Sequence, residues 1–153
     1  MKKAILMLSG PNLNLLGTRE PGVYGSLSLA EIETRAASLA AELGYELRGF
    51  QSNSEGALID ALHEARAWAA GAIFNPGGYS HSSVALRDAV AAVGYPVVEV
   101  HLSNIAAREE FRHRSIVAGA CVGSVSGLGW RSYALALRGL AELLTERAAG
   151  AES

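Results

Sequence analysis

Lysine is nearly missing from this chain of 153 residues: Lys2 and Lys3 are the only two, and none follows. With 13 basic against 15 acidic residues and a formal charge of -2, the chain lacks the basic excess that draws a protein to nucleic acid or to an anionic membrane surface. Arginine is scattered, with one small cluster at Arg108, Arg112 and Arg114. Aspartate is equally scarce, Asp60 and Asp88 being the only two, and His63, His81, His101 and His113 show no short-spaced pattern of metal ligands. No metal is therefore expected. The single cysteine, Cys121, excludes an intrachain disulfide; set among small apolar residues, it suits core packing and a reducing cytoplasm. No apolar stretch approaches the ~20 residues of a membrane span, and no repeat or low-complexity block is present. The start, MKKAILML, is similar to the opening of a secretory signal, but Gly10-Pro11 ends its apolar run short of the ~7–15 residues such a region needs. It reads instead as a buried first strand.

Half of the residues are hydrophobic and 17 are glycine, the composition of one globular domain with a full core, expected over 1–148 and followed by a disordered tail at 149–153. Short apolar runs alternate with helical patterns. The runs are Ala4 to Leu8, Tyr45 to Phe50, Ala72 to Phe74, Val97 to Val100, and small residues from about Val117 to Val125. Between the first two, Leu29, Ile32, Ala36, Leu39 and Leu43 share a helical face, Ser28 and Glu31 form a capping box, and Gly44 closes the helix. Helical patterning recurs at about 55–69, at 82–93 with Val84, Leu86 and Val90, around 104–112, and from about 132 to 147. Apolar runs without alternation imply strands buried on both faces, hence a parallel sheet covered by helices. The expected fold is a flavodoxin-like three-layer α/β sandwich on five parallel strands.

In such a fold, ligands bind beyond the carboxyl ends of the strands. Polar residues crowd there: Asn12 after the first strand, Gln51-Ser52-Asn53 after the second, Asn75-Pro76-Gly77-Gly78 and His81 after the third, and Glu99, His101 and Ser103 on the fourth. Glu99 and His101 are two apart, so an extended backbone points them to one side. A carboxylate beside an imidazole fixes its tautomer and favours the protonated form, which suits a proton donor at neutral pH. A purely structural ion pair has the same spacing.

The stretch GPNLNLLGTREPGVYG, from Gly10 to Gly25, places Arg19 five residues before Tyr24 on a loop punctuated by glycine and proline. A free phenol, with a pKa near ~10, is ionised in about one molecule in a thousand at pH 7, and a nearby guanidinium raises that fraction. The loop reads either as a lid carrying a base or as an exposed segment with a surface tyrosine.

These segments, with QSNSEGALID, FNPGGYSHSSVALRDA, VVEVHLSNIAAREEFRHRS and GLGWRSYALAL, follow one another in an order and spacing that resemble the type II 3-dehydroquinate dehydratases over nearly the whole chain. The resemblance implies a cytoplasmic hydro-lyase of the shikimate pathway that removes water from 3-dehydroquinate to give 3-dehydroshikimate, without cofactor. It implies Tyr24 as the base that takes a proton next to the ketone, with Arg19 holding it as phenolate and Asn12 stabilising the enolate through an ordered water. His101, oriented by Glu99, would be the acid. Asn75, His81, Leu102, Ser103 and Arg112 would bind substrate, with Asp88 reaching in from a neighbouring subunit of a dodecamer built as four trimers. Arg108 and Arg114 are expected to be structural or at a subunit contact. Dehydration of such a ketone also has a lysine Schiff-base route, for which this chain could offer only the amines of its terminal tail.

The competing class is a flavodoxin-like binding or signalling module without enzymatic activity. A receiver-type module needs clustered acids at its early strand ends, where this chain has Ser9-Gly10-Pro11-Asn12. A dinucleotide binder needs a phosphate loop, and the GLG at 127–129 lacks the remaining glycine of G-x-G-x-x-G.

Overall fold

A computed structural model of the chain describes residues 2–18 and 20–152, the last two of these by backbone only. Five strands form one parallel sheet: β1 (Ala4–Ser9), β2 (Glu46–Gln51), β3 (Ala69–Asn75), β4 (Val97–His101) and β5 (Gly123–Ser126), in the order β2-β1-β3-β4-β5. This is the flavodoxin-like order, in which the chain reverses direction across the sheet between β1 and β3. The helices are α1 (Pro21–Tyr24), α2 (Leu29–Glu42), α3 (Glu55–Glu64), α4 (Val84–Ala92) and α5 (Arg131–Glu152), the last running past residue 148. Among the described residues no helix is long and apolar enough to cross a membrane.

The pleat divides the core. Ile5 and Met7 of β1, Ile73 of β3, and Val98 and Val100 of β4 pack with Ile32, Ala36 and Leu39 of α2 and Leu137 and Leu140 of α5. The alternate residues Leu6, Leu8, Ala72, Phe74 and Val97 pack with Leu58 and Leu62 of α3 and Leu86 and Val90 of α4. Each of these side chains larger than alanine, taken fully from water, contributes about 1.5–3 kcal/mol. Glu99 and His101 alternate with Val98 and Val100, so they lie on the α4 side of the sheet.

The helix start at Ser28 forms as its residues dictate: Ser28 Oγ accepts from Glu31 N–H at 3.1 Å, and Glu31 Oε1 accepts from Ser28 N–H at 3.3 Å. Other expectations need correction. Burial on both faces holds for β1 and β4, whereas β2 is an edge strand whose Phe50 is 40% exposed. Val84 stands on the outer face of α4, because it and Leu86 are two residues apart, about 200° around a helix. The patterning at 104–112 yields two 3-10 turns, Ile105–Ala107 and Glu110–Arg112, separated by an extended Arg108. The small-residue run from Val117 starts with a 3-10 turn, Val117–Ala120, and only Gly123–Ser126 is strand.

Candidate active site

The carboxyl ends of β1, β3 and β4 open into a small cavity of about 150 Å³, lined by Asn12, Tyr24, Asn75, His81, His101, Leu102, Ser103, Arg108 and Arg112 among others. A wider groove of about 600 Å³ lies at the opposite end of the sheet, among Lys2, Tyr45, Arg66, Tyr95 and Leu144. No carboxylate or imidazole is among the described residues that line that groove, whereas His81 and His101 line the smaller cavity, so acid–base chemistry points there.

Backbone close approach builds its floor. Gly10 N–H donates to Asn75 O at 2.8 Å, and a Cβ at Gly10 would meet the Pro76 carbonyl oxygen at 2.6 Å. Only glycine fits that crossing. The Asn75 amide is held at both ends: its Nδ2 donates to the Tyr133 hydroxyl at 3.1 Å, and its Oδ1 accepts from Gly77 N–H at 3.0 Å. One Nδ2 proton and one Oδ1 lone pair stay available to a ligand. Tyr133 is fully buried, and that burial pushes its phenol up, opposed by the neighbouring Ser9 and Asn75 side chains. Ser9 Oγ is buried beside it without a partner of good hydrogen-bond geometry among the described residues.

Asn12 adopts a left-handed conformation, φ 68°, which asparagine tolerates better than most residues. Its N–H donates to Asn53 Oδ1 at 3.0 Å, and Gln51 Nε2 donates to the same oxygen at 3.1 Å and to Gly10 O at 3.1 Å. The polar end of β2 thus braces the Asn12 loop and does not line the cavity.

Glu99 is 1% exposed, and its Oε2 lies 3.0 Å from His101 Nε2. A carboxylate only accepts, so His101 Nε2 carries the proton and Nδ1 is the nitrogen left to exchange one with a ligand. The His81 ring stacks near that of His101, with centroids 6.3 Å apart and an interplanar angle of 21°. His81 Nδ1 donates to Arg114 O at 2.8 Å.

Tyr24 ends the single helical turn α1 inside the loop, which Pro21 opens and Gly25, at φ 88°, closes. The Arg108 guanidinium sits over its ring, 5.1 Å from the centroid. Arg108 also lines the cavity, a place not foreseen for a residue expected to be structural or at a subunit contact. His113 steadies it, with Nε2 donating to Arg108 O at 2.7 Å. Arg112 Nε donates to Glu109 Oε2 at 2.6 Å, and that hydrogen bond holds the Glu109 carboxyl below its ordinary range.

Of the expected site residues, Asn12, Tyr24, Asn75, His81, His101, Leu102, Ser103 and Arg112 converge on the cavity, with Glu99 directly behind His101. Asp88 does not; it is exposed on α4, one turn from Val84. Arg19 lies outside the described residues. Sequence reasoning missed Arg108, whose only signal is its place between Ser103 and Arg112, and it missed Tyr133 and Ser115, which carry none. Cys121 is packed against the α4-side core, and burial, with Glu99 nearby, pushes its thiol up to about 12. Among the described residues no group of three or more His, Cys, Asp or Glu side chains is placed to hold a metal ion.

Residues 3–141 match the family model for class II dehydroquinases. The chain is 58% identical over 141 residues to the 3-dehydroquinate dehydratase of Desulforudis audaxviator, covering 92% of this chain and 94% of that one. Among solved structures it is similar to the type II dehydroquinase of Butyrivibrio crossotus, with TM-score 0.88, 40% identity, and coverage of 91% of this chain and 97% of that one. The Propionibacterium acnes type II dehydroquinase gives TM-score 0.87 and 41% identity, covering 93% and 98%.

Proposed function

The chain belongs to the class II dehydroquinase family, and on that premise we propose how its cavity residues divide the work of dehydrating 3-dehydroquinate. The activity is that of a 3-dehydroquinate dehydratase of the shikimate pathway. Its substrate is an anionic ketone with hydroxyl groups. Arg112 meets the substrate carboxylate, displacing Glu109, while Asn75, His81 and the Leu102–Ser103 segment hold the hydroxyls.

Tyr24, as phenolate, takes a proton from the carbon beside the ketone. Arg19 is the residue that holds Tyr24 for this step, and the Arg108 guanidinium lies over the Tyr24 ring. The electron pair moves onto the ketone oxygen, and Asn12 stabilises the resulting enolate through a water. The enolate then expels the hydroxyl, which takes the Nδ1 proton of the His101 imidazolium and leaves as water. Tyr24 has gained one proton and His101 has lost one, and exchange with solvent resets both. The observation that carries this reading is the buried Glu99–His101 pair opening onto the same cavity as Tyr24.

Asp88, exposed beside Val84 on α4, serves a neighbouring subunit's cavity in a dodecamer of four trimers, so the protein in solution has the mass of twelve chains. Its place is the cytoplasm, in keeping with one unpaired cysteine.

Tyr24→Phe removes only the hydroxyl. The variant folds with an unchanged melting temperature and loses at least ~10²-fold in kcat, the scale of a lost general base. Turnover near wild type, followed by the absorbance of the enone product, would overturn the assignment.

A further inference from the structure

A carboxylate has two oxygens, and His101 uses only one of those on Glu99. The other, Oε1, accepts a hydrogen bond from Ser115 Oγ at 2.8 Å. Ser115 Oγ in turn accepts from Ala118 N–H at 3.1 Å, so one lone pair is occupied and its single proton goes to the carboxylate. With a donor on each oxygen, the Glu99 carboxylate is held in one orientation.

The residues on either side of Ser115 are tied into the same cavity wall. Arg114 O accepts from His81 Nδ1 at 2.8 Å, and Ile116 N–H donates to Ser80 O at 2.6 Å. Ile116 O accepts from Arg87 Nη1 at 2.7 Å. Three consecutive residues thus bind the backs of both imidazoles: Arg114 directly to His81, Ser115 through Glu99 to His101, and Ile116 to the turn that carries His81.

We propose that Ser115 is a positioning residue for the acid step, acting through Glu99 to fix the orientation of His101. This rests on His101 being the acid in the reading above. Ser115 does not line the cavity and stands 16 residues from its partner in sequence. Without its proton, Glu99 Oε1 is buried with no donor, the carboxylate is free to turn, and the His101 imidazolium is less well supported when the hydroxyl leaves.

The test separates the two proton transfers in the full-length protein. Ser115→Ala lowers kcat for water loss about tenfold, with KM within about twofold of wild type. Exchange of the substrate α-proton with deuterated solvent, which depends on Tyr24, stays near the wild-type rate. Ser115→Thr, which restores a hydroxyl, recovers most of the loss, and Ser115→Cys, a weaker donor of similar size, falls between. An unchanged kcat in Ser115→Ala overturns the proposal, as does an equal fall in exchange and elimination that Thr does not rescue. Should Ser115→Ala fail to fold, the order Ser, Thr, Cys in elimination rate at constant exchange carries the decision, and its absence is a refutation. His101→Ala checks the underlying reading separately: it keeps exchange and loses elimination, and if elimination survives there is no acid at this position to support.

Discussion

Glu99→Gln separates the charge of the buried dyad from its shape. Glutamine has the same length and planarity, so its amide oxygen still accepts from His101 Nε2–H, and its NH2 can turn to Ser115 Oγ, which has a second lone pair. What disappears is the negative charge 3.0 Å from the imidazole. At an effective dielectric constant of ~20, two unit charges at that distance interact by about 5.5 kcal/mol, which sets the ceiling. The floor is the difference between a charge-assisted and a neutral hydrogen bond, about 1 kcal/mol. Both partners are nearly dry, His101 at 6% and Glu99 at 1% exposure, so solvent screening does not reduce the effect to the floor. A kcat near ~10²-fold below wild type, about 2.7 kcal/mol, follows for water loss. Steady-state rates would be read from product absorbance and α-proton exchange by NMR in deuterated buffer. Exchange should persist, because the base lies on a different element. A kcat within twofold of wild type would show that the charge contributes nothing and that Glu99 acts through the hydrogen bond and packing that glutamine keeps.

Two further outcomes concern the scaffold behind the cavity. Tyr133→Phe deletes the acceptor of Asn75 Nδ2 in a fully buried position; an unpaired buried polar group costs about 1–3 kcal/mol, so the melting temperature drops by about 3–10 °C and KM rises as Asn75 loses its anchor. A melting temperature within a degree of wild type would contradict this. Burial raises both the Cys121 thiol, from 9.0 to about 12, and the Tyr133 phenol. Both stay protonated in the folded chain where they ionise in the unfolded one; the unfolded state then binds fewer protons, and stability falls as pH rises. Thermal melts should decline from about pH 9 upward, and Cys121→Ala should flatten the first part of that decline; wild-type melting that stays constant to pH 11 would refute the linkage.

Helix α2 was legible because its capping box and its apolar spacing act within a few residues, where local geometry settles the outcome. The same kind of inference failed at Val84, which is apolar yet exposed, because hydrophobicity alone does not say which face meets the sheet. It failed again at 104–112, where Arg108 takes an extended conformation to place its guanidinium over Tyr24. Between Val117 and Val125 small residues suit a 3-10 turn as well as a strand, and only pairing with β4 decides where strand begins. In the cavity, His101 and Asn75 stood out as polar groups at strand ends, and Tyr24 by its place five residues after Arg19 on a loop. Ser115 and Tyr133 did not, since serine near a turn and tyrosine on a helix are ordinary.

By itself, the sequence determined the parallel sheet, the rim where chemistry gathers, and the alternation that puts Glu99 and His101 on one side of β4. Its motifs determined the family. Tertiary structure decided which polar groups face the cavity and which brace it from behind. The reason is range: Asn75 and Tyr133 are 58 residues apart, Ser115 and Glu99 16 apart, and such hydrogen bonds exist only once the sheet has brought the segments together. Periodicity reports what a residue does along its own element, whereas the groups that hold Asn75 and the dyad in place belong to other elements.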